Sequence, residues 1–551
     1  MRFLRELASN ISLSLRESHL FSLRSKITWE RVGVGSFLIF LLLTPLFYKI
    51  QLRAGIYQEG VYVEPLMPFL ILSVGFFLWS FWREGRKKFW GIVKEFLVPY
   101  PIAKVFYILF STLLLSWIYG VVLTGNFAWG DLLRLIKYGL YFLVFPLSIR
   151  TGRILGWRGV YGVLVAIFLA GVGAAAVSLH RIYQFVAAGN VIDFWAYSPA
   201  SRSVGFLGQY LDLKTWEVAQ IPKAAHATFG LYLSAVLGTG LVFFSQAKKV
   251  LVRIGILSGI GVIFAALLYT LSRGAVATGL LVVLAGFIWL LKNKNFGALA
   301  VLAVFLFLES SVLMQINREV YEKFASTFPE LERVTSNLIN VTAPVGSGII
   351  RSGQGLAKFF GFIEETPSET HPIAVVREKK IEAHSGLEVA VDKSLGDRVV
   401  TWKNTLSLLR SRPLFFIFGV GYSIDNLTHF TGGAVVYPHS LFLDLWARGG
   451  LLALAVVLIL WVLIFAKTVQ FWFSRHRSVA AFGTVLLGFL IGWFLDNAIS
   501  GEQFFSDAPM LAFWGTLGLI AALSKVRDQK SEVRKVLIAL TSSEVGGAPK
   551  V

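Results

Sequence analysis

The chain has 551 residues, of which 56% are hydrophobic and only 15% charged, with a mean hydropathy of +0.67. Soluble domains carry about 25% charged residues, and a charge at the bilayer centre costs roughly 2.5–3.5 kcal/mol even on insertion scales, so this composition excludes a string of soluble domains and describes a lipid-embedded protein. The formal charge of +20 does not make a nucleic-acid binder, because the basic groups sit in short segments between apolar runs, and the lack of cysteine removes disulfides, thiolate metal sites and a Cys nucleophile.

Residues 1–31 mix Phe3, Leu4, Leu7 and Ile11 with Arg5 and Arg16, which suits either an amphipathic helix along the membrane surface or a frayed basic tail. Residues 32–314 hold nine apolar runs of the length a helix needs to cross about 30 Å of hydrocarbon. They lie near 32–50, 65–82, 105–123, 131–149, 159–179, 226–245, 254–271, 275–291 and 297–314. The first has no small-residue cleavage site and reads as an anchor. Residues 315–440 form a large polar region, and 441–524 add three more runs near 441–466, 479–496 and 509–524. Residues 525–551 form the C-terminal tail, of which 528–551 read as a disordered end. The expected fold is therefore an all-α integral membrane protein with about twelve transmembrane helices and one large extramembrane loop region containing helices. The 16 Trp and 17 Tyr suit the headgroup boundaries of such a bundle.

Basic residues set the expected orientation. With a cytoplasmic N-terminus, the inner segments hold 29 Lys/Arg and the short outer ones six: Arg53, Arg181, Arg202, Lys214, Lys223 and Arg273. This obeys the positive-inside rule and puts both termini in the cytoplasm and 315–440 outside.

The unusual residues gather at the outer side. Within 315–440, the stretch 341–372 is rich in Gly, Ser, Thr and Pro, and helical spacing of Trp402, Leu406, Leu408 and Leu409 predicts a helix from Asp397 to Pro413. Gly419-Val420-Gly421 suits a tight turn or close backbone approach. Pro438-His439-Ser440 leads into the tenth run, where Asp444 and Arg448, four apart, share a helix face and are expected to pair. Ser272-Arg273-Gly274 makes the whole turn between the seventh and eighth runs; its Arg either snorkels to the headgroups or grips an anion. Arg202 precedes Gly205-Phe206 in the loop before the sixth run. Asp131, Arg134 and Lys137 lie at spacings of three near the outer end of the fourth, where an Asp131–Arg134 pair is the simpler account and basic groups of functional use the other.

Together these stretches resemble the O-antigen ligase and polymerase superfamily of bacterial membrane glycosyltransferases. The match is carried by Arg202 with Gly205-Phe206; by Ser272-Arg273-Gly274; by Asp397-Arg398 with Trp402, on to Pro413 and Gly419-Val420-Gly421; and by Pro438-His439-Ser440-Leu441-Phe442-Leu443 through Gly449-Gly450-Leu451-Leu452. Ser440 stands where Asn is commoner in the family, and Ala453 where a final Gly is usual. The resemblance implies a GT-C type fold in the bacterial inner membrane, with the active site and the large loop facing the periplasm. It also implies an undecaprenyl-pyrophosphate-linked glycan donor and inverting, metal-independent transfer to an acceptor hydroxyl, such as lipid A–core in lipopolysaccharide assembly. By motif, His439 would serve the acceptor and Arg273 and Arg202 the donor pyrophosphate, with Arg398, Arg134 and Lys137 in supporting positions.

The chemistry agrees with those residue types. A departing pyrophosphate gathers negative charge, which a guanidinium fork stabilises, and an imidazole with a reference pKa near 6.5 can take the hydroxyl proton. No Asp-x-Asp occurs, and the four His residues of the large loop, His371, His384, His429 and His439, match no zinc spacing, so neither a metal nor another cofactor is expected. Three alternatives share the features: a polymerase extending the lipid-linked polysaccharide, a protein O-oligosaccharyltransferase, and a lipid-linked glycan flippase. The last would place more charge deep in the spans.

Overall fold

The computed structural model describes residues 28–53, 61–127, 129–188, 203–212, 218–220, 225–316, 393–433, 435, 437–499 and 509–524. Arg202, most of the large loop (317–392) and both tails lie outside the described residues.

Helices dominate because a chain in hydrocarbon has to satisfy its backbone groups internally. Their order is α1 (Trp29–Leu43), α2 (Met67–Glu84), α3 (Arg86–Leu97), α4 (Pro101–Thr124), α5 (Trp129–Phe142), α6 (Val144–Ala187), α7 (Ala225–Gln246), α8 (Val250–Leu268), α9 (Arg273–Lys292) and α10 (Phe296–Ile316). After the large loop come α11 (Lys393–Ser411), α12 (Pro413–Phe418), α13 (Ile424–Phe430), α14 (Leu441–Trp472) and α15 (Arg477–Ile499), then α16 (Pro509–Ser524). Among the described residues, eight helical stretches are long and apolar enough to cross a membrane, and Phe296–Ser311 and Pro509–Ser524 are shorter apolar helices. One of the eight, Trp129–Ala187, is a 59-residue stretch broken at Leu143 and again at Gly156 (φ 65°, ψ −170°). It therefore contains two of the expected runs, and the segment between them is bent helix where a loop was expected.

The first run also differs from expectation. Its helix stops at Leu43, a short 3₁₀ turn follows at Thr44–Leu46, and the chain becomes strand β1 (Lys49–Arg53). Pro45 removes a backbone donor there, and the Thr44 hydroxyl closes the helix by donating to the Phe40 carbonyl at 2.6 Å. With β2 (Val61–Val63), β3 (Gln209–Leu211) and β4 (Val218–Gln220), β1 builds a small sheet in the order β2-β1-β3-β4. β1 is antiparallel to β2 and parallel to β3, pairing Ile50 with Val63 and Lys49 with Tyr210. The fold is thus helical with a small sheet, which period-based reading missed because its strands are only three to five residues long and β1 and β3 lie far apart in sequence.

α7 is buried along most of its length. Beside it α9 and α15 pack closely through small residues: a Cβ on Gly492 would sit 2.5 Å from the Thr278 Cα, and one on Gly488 2.7 Å from the Leu281 carbonyl oxygen. Small residues permit such backbone approach where lipid is the solvent. Outward faces are apolar, with Leu115, Val122, Phe307 and Val462 exposed.

Candidate active site

Arg273 is built by a helix end meeting a helix start. α8 closes at Leu268; Tyr269–Ser272 make the turn, with Leu271 buried in a left-handed conformation (φ 56°). Ser272 caps α9, its hydroxyl accepting from the Ala275 amide at 3.4 Å. Arg273 and Gly274 therefore already belong to α9, where a turn was expected. A guanidinium at the positive end of a helix dipole favours an anion twice over. Gly274 has a spatial reason as well: a Cβ there would overlap the carboxyl group of Asp496, so α15 presses its last turn, with buried Asp496 and Asn497, against the start of α9.

α11 spans from this corner to the next. Arg398 Nη1 donates to the Ile499 carbonyl at the end of α15 (3.1 Å), and lies close enough to Arg273 for their charges to repel. One turn on, the buried Trp402 donates its indole N–H to the Pro438 carbonyl at 2.7 Å. The buried face is Trp402, Thr405, Leu408 and Leu409; Leu406, expected on it, is only half-buried and Thr405 takes its place. α11 thus joins the Arg273 corner to the turn that carries His439.

His439 is exposed and left-handed (φ 52°), immediately before Ser440, the N-cap position of α14. The Tyr437 ring meets its imidazole edge to face, with centroids 5.2 Å apart. Behind Tyr437 lies Arg448, its guanidinium 5.9 Å from that ring and 5.5 Å from Tyr422. Arg448 pairs with Asp444 at 2.8 Å, as the spacing predicts, and both side chains are almost wholly buried. α14 breaks at Gly450 (φ 72°), where a Cβ would strike the Ile417 carbonyl. The break frees two carbonyls, and the Gly419-Val420-Gly421 loop fills the gap. Val420 N–H donates to the Ala447 oxygen (2.7 Å) and Gly421 N–H to the Arg448 oxygen (3.1 Å), which also accepts from the Ser116 hydroxyl of α4 (2.5 Å). The glycine pair serves close backbone packing.

The other expected site residues fall elsewhere. Ser203, next in the chain after Arg202, donates its amide to the Tyr269 carbonyl in the Arg273 turn (2.9 Å), and its hydroxyl meets that of Ser178 (2.7 Å). Arg134 pairs with Asp131 at 3.1 Å, the simpler of the two sequence readings. Lys137 reaches the sheet, donating to the Tyr62 carbonyl (2.6 Å) and pairing with Glu64 (3.6 Å), which also meets Lys49 (3.7 Å). The contacts described for Arg134 and Lys137 run to α5 and the sheet, away from α9, α11 and α14.

Three residues have structural roles that the sequence reading did not assign them. Asp496 ends an expected span, and an acid in a span is itself a signal. Arg181 packs its guanidinium on the Tyr48 and Phe206 rings and hydrogen-bonds Gln209 and Tyr48. Tyr437 had no distinguishing spacing. Among the described residues no group of three His, Asp or Glu side chains could hold a metal ion.

A bundle of apolar helices with cations, a carboxylate and an imidazole disposed around one crossing helix defines a multi-pass membrane protein with a polar site at one end. The O-antigen ligase family model matches residues 258–458, a stretch containing Arg273, Arg398, Trp402, Tyr437, His439 and Arg448. That stretch, about a third of the chain, is similar to the O-antigen ligase family, which supports the resemblance read from the sequence. No curated protein matches the chain.

Proposed function

We propose that the protein is an O-antigen ligase-like inverting glycosyltransferase of the bacterial inner membrane, moving a glycan from undecaprenyl pyrophosphate to a hydroxyl of lipid A–core at the periplasmic face. Twelve crossings in a GT-C type arrangement, both termini in the cytoplasm and residues 315–440 in the periplasm complete the reading. The observation that carries it is α11: within the family-matched stretch it brings Arg398 near enough to Arg273 for their charges to repel and ties Trp402 to the turn that presents His439.

Two guanidinium groups near each other in a partly dry corner favour an anionic ligand there. A pyrophosphate supplies that anion, and its oxygens suit paired N–H donors. In the proposed step, the acceptor hydroxyl oxygen attacks the anomeric carbon from the face opposite the leaving group. The new C–O bond forms as the sugar–phosphate C–O bond breaks with inversion, the hydroxyl proton passes to the His439 imidazole, and the added charge on the lipid pyrophosphate stays with Arg273 and Arg398. Arg202, whose chain neighbour Ser203 is bonded to the Arg273 turn, is proposed as a further pyrophosphate ligand. Lys137 is left as a support of the sheet and Arg134 as the partner of Asp131.

The pH–rate profile tests the base. Turnover requires neutral imidazole, so the rate rises with pH through a limb near pH 6–7. His439→Ala is expected to lose about 10²–10⁴ in turnover with donor binding nearly intact. His439→Gln, unable to take the proton at neutral pH, stays severely impaired. A wild-type profile without that limb, or a Gln variant near the wild-type rate, removes His439 as base. Assaying the same protein with lipid A–core and with a second lipid-linked glycan separates ligase from polymerase. Activity is expected to survive EDTA, since Arg side chains take the leaving-group charge; loss on chelation restored by magnesium or manganese refutes this.

A further inference from the structure

We infer that Tyr437 and Trp402 are positioning residues which together hold the His439 imidazole in its working orientation. The inference rests on His439 being the base, and goes beyond it in naming what fixes that base.

An exposed imidazole on a connecting turn is a poor base unless something restricts it, because proton transfer needs the nitrogen within hydrogen-bond reach of the hydroxyl. His439 carries two such restrictions. The first acts on its backbone. Residue 439 is left-handed (φ 52°), a region that L-residues other than Gly, Asn, Asp and His seldom occupy. The angle φ of His439 is the rotation between its own Cα and the Pro438–His439 peptide plane. The oxygen of that plane is the one that accepts the Trp402 indole N–H at 2.7 Å, at a buried position. A rotation of φ toward an ordinary conformation swings the carbonyl away from Trp402 and leaves a buried donor and acceptor unmatched. Pro438 is itself buried, its own φ fixed by its ring, and it biases Tyr437 toward an extended backbone.

The second restriction acts on the ring. Tyr437 meets the imidazole edge to face (centroids 5.2 Å, planes 74° apart), a preferred aromatic geometry. Tyr437 is in turn set against the Arg448 guanidinium (5.9 Å), whose place is fixed by Asp444 at 2.8 Å on the first turns of α14. A buried ion pair with both partners on one rigid helix is a firm anchor. It supports an aromatic ring, and the ring supports the imidazole. Asp444 and Arg448 thereby acquire a use at the site without touching substrate.

The test is a double-mutant cycle on the full-length protein in nanodiscs, using an undecaprenyl-pyrophosphate-linked glycan as donor and lipid A–core as acceptor. Trp402→Phe removes the N–H while keeping most of the ring volume, Tyr437→Leu removes the aromatic edge, and Tyr437→Phe keeps it. Trp402→Phe and Tyr437→Leu are each expected to lower kcat about ten- to hundredfold, with donor KM within about twofold because neither touches the pyrophosphate. Tyr437→Phe should recover most of the rate. On a His439→Ala background, neither change should cost more than about twofold further, since residues acting as one unit are not additive. Equal losses on both backgrounds would make them ordinary structural residues, as would donor KM rising in step with the loss of kcat. Wild-type turnover of Tyr437→Leu would show that the ring contact is idle. A His439→Ala enzyme at the wild-type rate would instead overturn the base assignment on which the inference rests. If His439→Ala leaves too little rate for the cycle, the donor KM and the Tyr437→Phe recovery decide.

Discussion

Arg273 combines three local effects at one residue: a fixed positive charge, a forked donor geometry and the start of a helix whose free N–H groups point the same way. Charge alone is conserved in Arg273→Lys, but the paired hydrogen bonds to phosphate oxygens are lost. That variant is expected to fall by about one to two orders of magnitude in transfer rate, in line with loss of a single oriented donor to a developing charge. Arg273→Ala should fall further. The measurement is initial rate under saturating acceptor, with membrane insertion verified; an inserted Ala variant at the wild-type rate would remove Arg273 from the donor site. Gly274 beside it has no freedom to vary, since even a methyl group would overlap the Asp496 carboxyl.

At the scale of one element, α14 shows how a broken helix is made stable. An uninterrupted helix would bond the Ala447 and Arg448 carbonyls to amides four residues on; the left-handed Gly450 prevents this, and amides of the Gly419–Gly421 loop replace them. The first segment is then held by the Ser116 hydroxyl of α4, by backbone amides of that loop and by the Asp444–Arg448 pair within it. Removing one partner of a buried pair leaves an uncompensated charge, worth about 3–5 kcal/mol, whereas replacing both with apolar residues of similar volume is often neutral. Arg448→Met alone should therefore lower thermal stability sharply, and Asp444→Leu with Arg448→Met should restore most of it. Turnover should stay low in the double variant, because Tyr437 has lost the guanidinium behind it. A double variant as unstable as the single would show that the pair's charges are not what stabilises this segment.

The whole molecule is a bundle whose turns alternate between two ends, one of them carrying the sheet, α11 and the polar corner. The proposed orientation follows from 29 Lys/Arg on one set of segments against six on the short segments of the other. Since the chain contains no cysteine, single Cys probes can be introduced without background. Probes at Ser352 and Ser506 are expected to react with an impermeant maleimide from the periplasmic side, and one at Ser478 only after the cytoplasmic face is opened. Labelling of Ser352 solely from the cytoplasmic face would invert the assignment and with it the side on which donor and acceptor meet.

Sequence alone determined what depends on composition and short-range spacing. The apolar runs fall largely on helices, the end of the first excepted, because lipid forces continuous hydrophobicity onto a crossing segment. The i,i+4 and i,i+3 pairs Asp444–Arg448 and Asp131–Arg134 were legible because helix geometry fixes who faces whom four or three residues away. Trp402 and its neighbours announced α11 by the same rule. Contacts between segments remote in the chain carried no such signal. Only the tertiary structure decided that β1 pairs with β3 across some 160 residues, that Arg398 comes near enough to Arg273 for their charges to repel, and that Trp402 holds the Pro438 carbonyl. Only it decided that Asp496 fills the space over Gly274. Periodicity reports which face of an element is buried, but not what it is buried against; that is settled by packing, which depends on the shapes of many side chains at once.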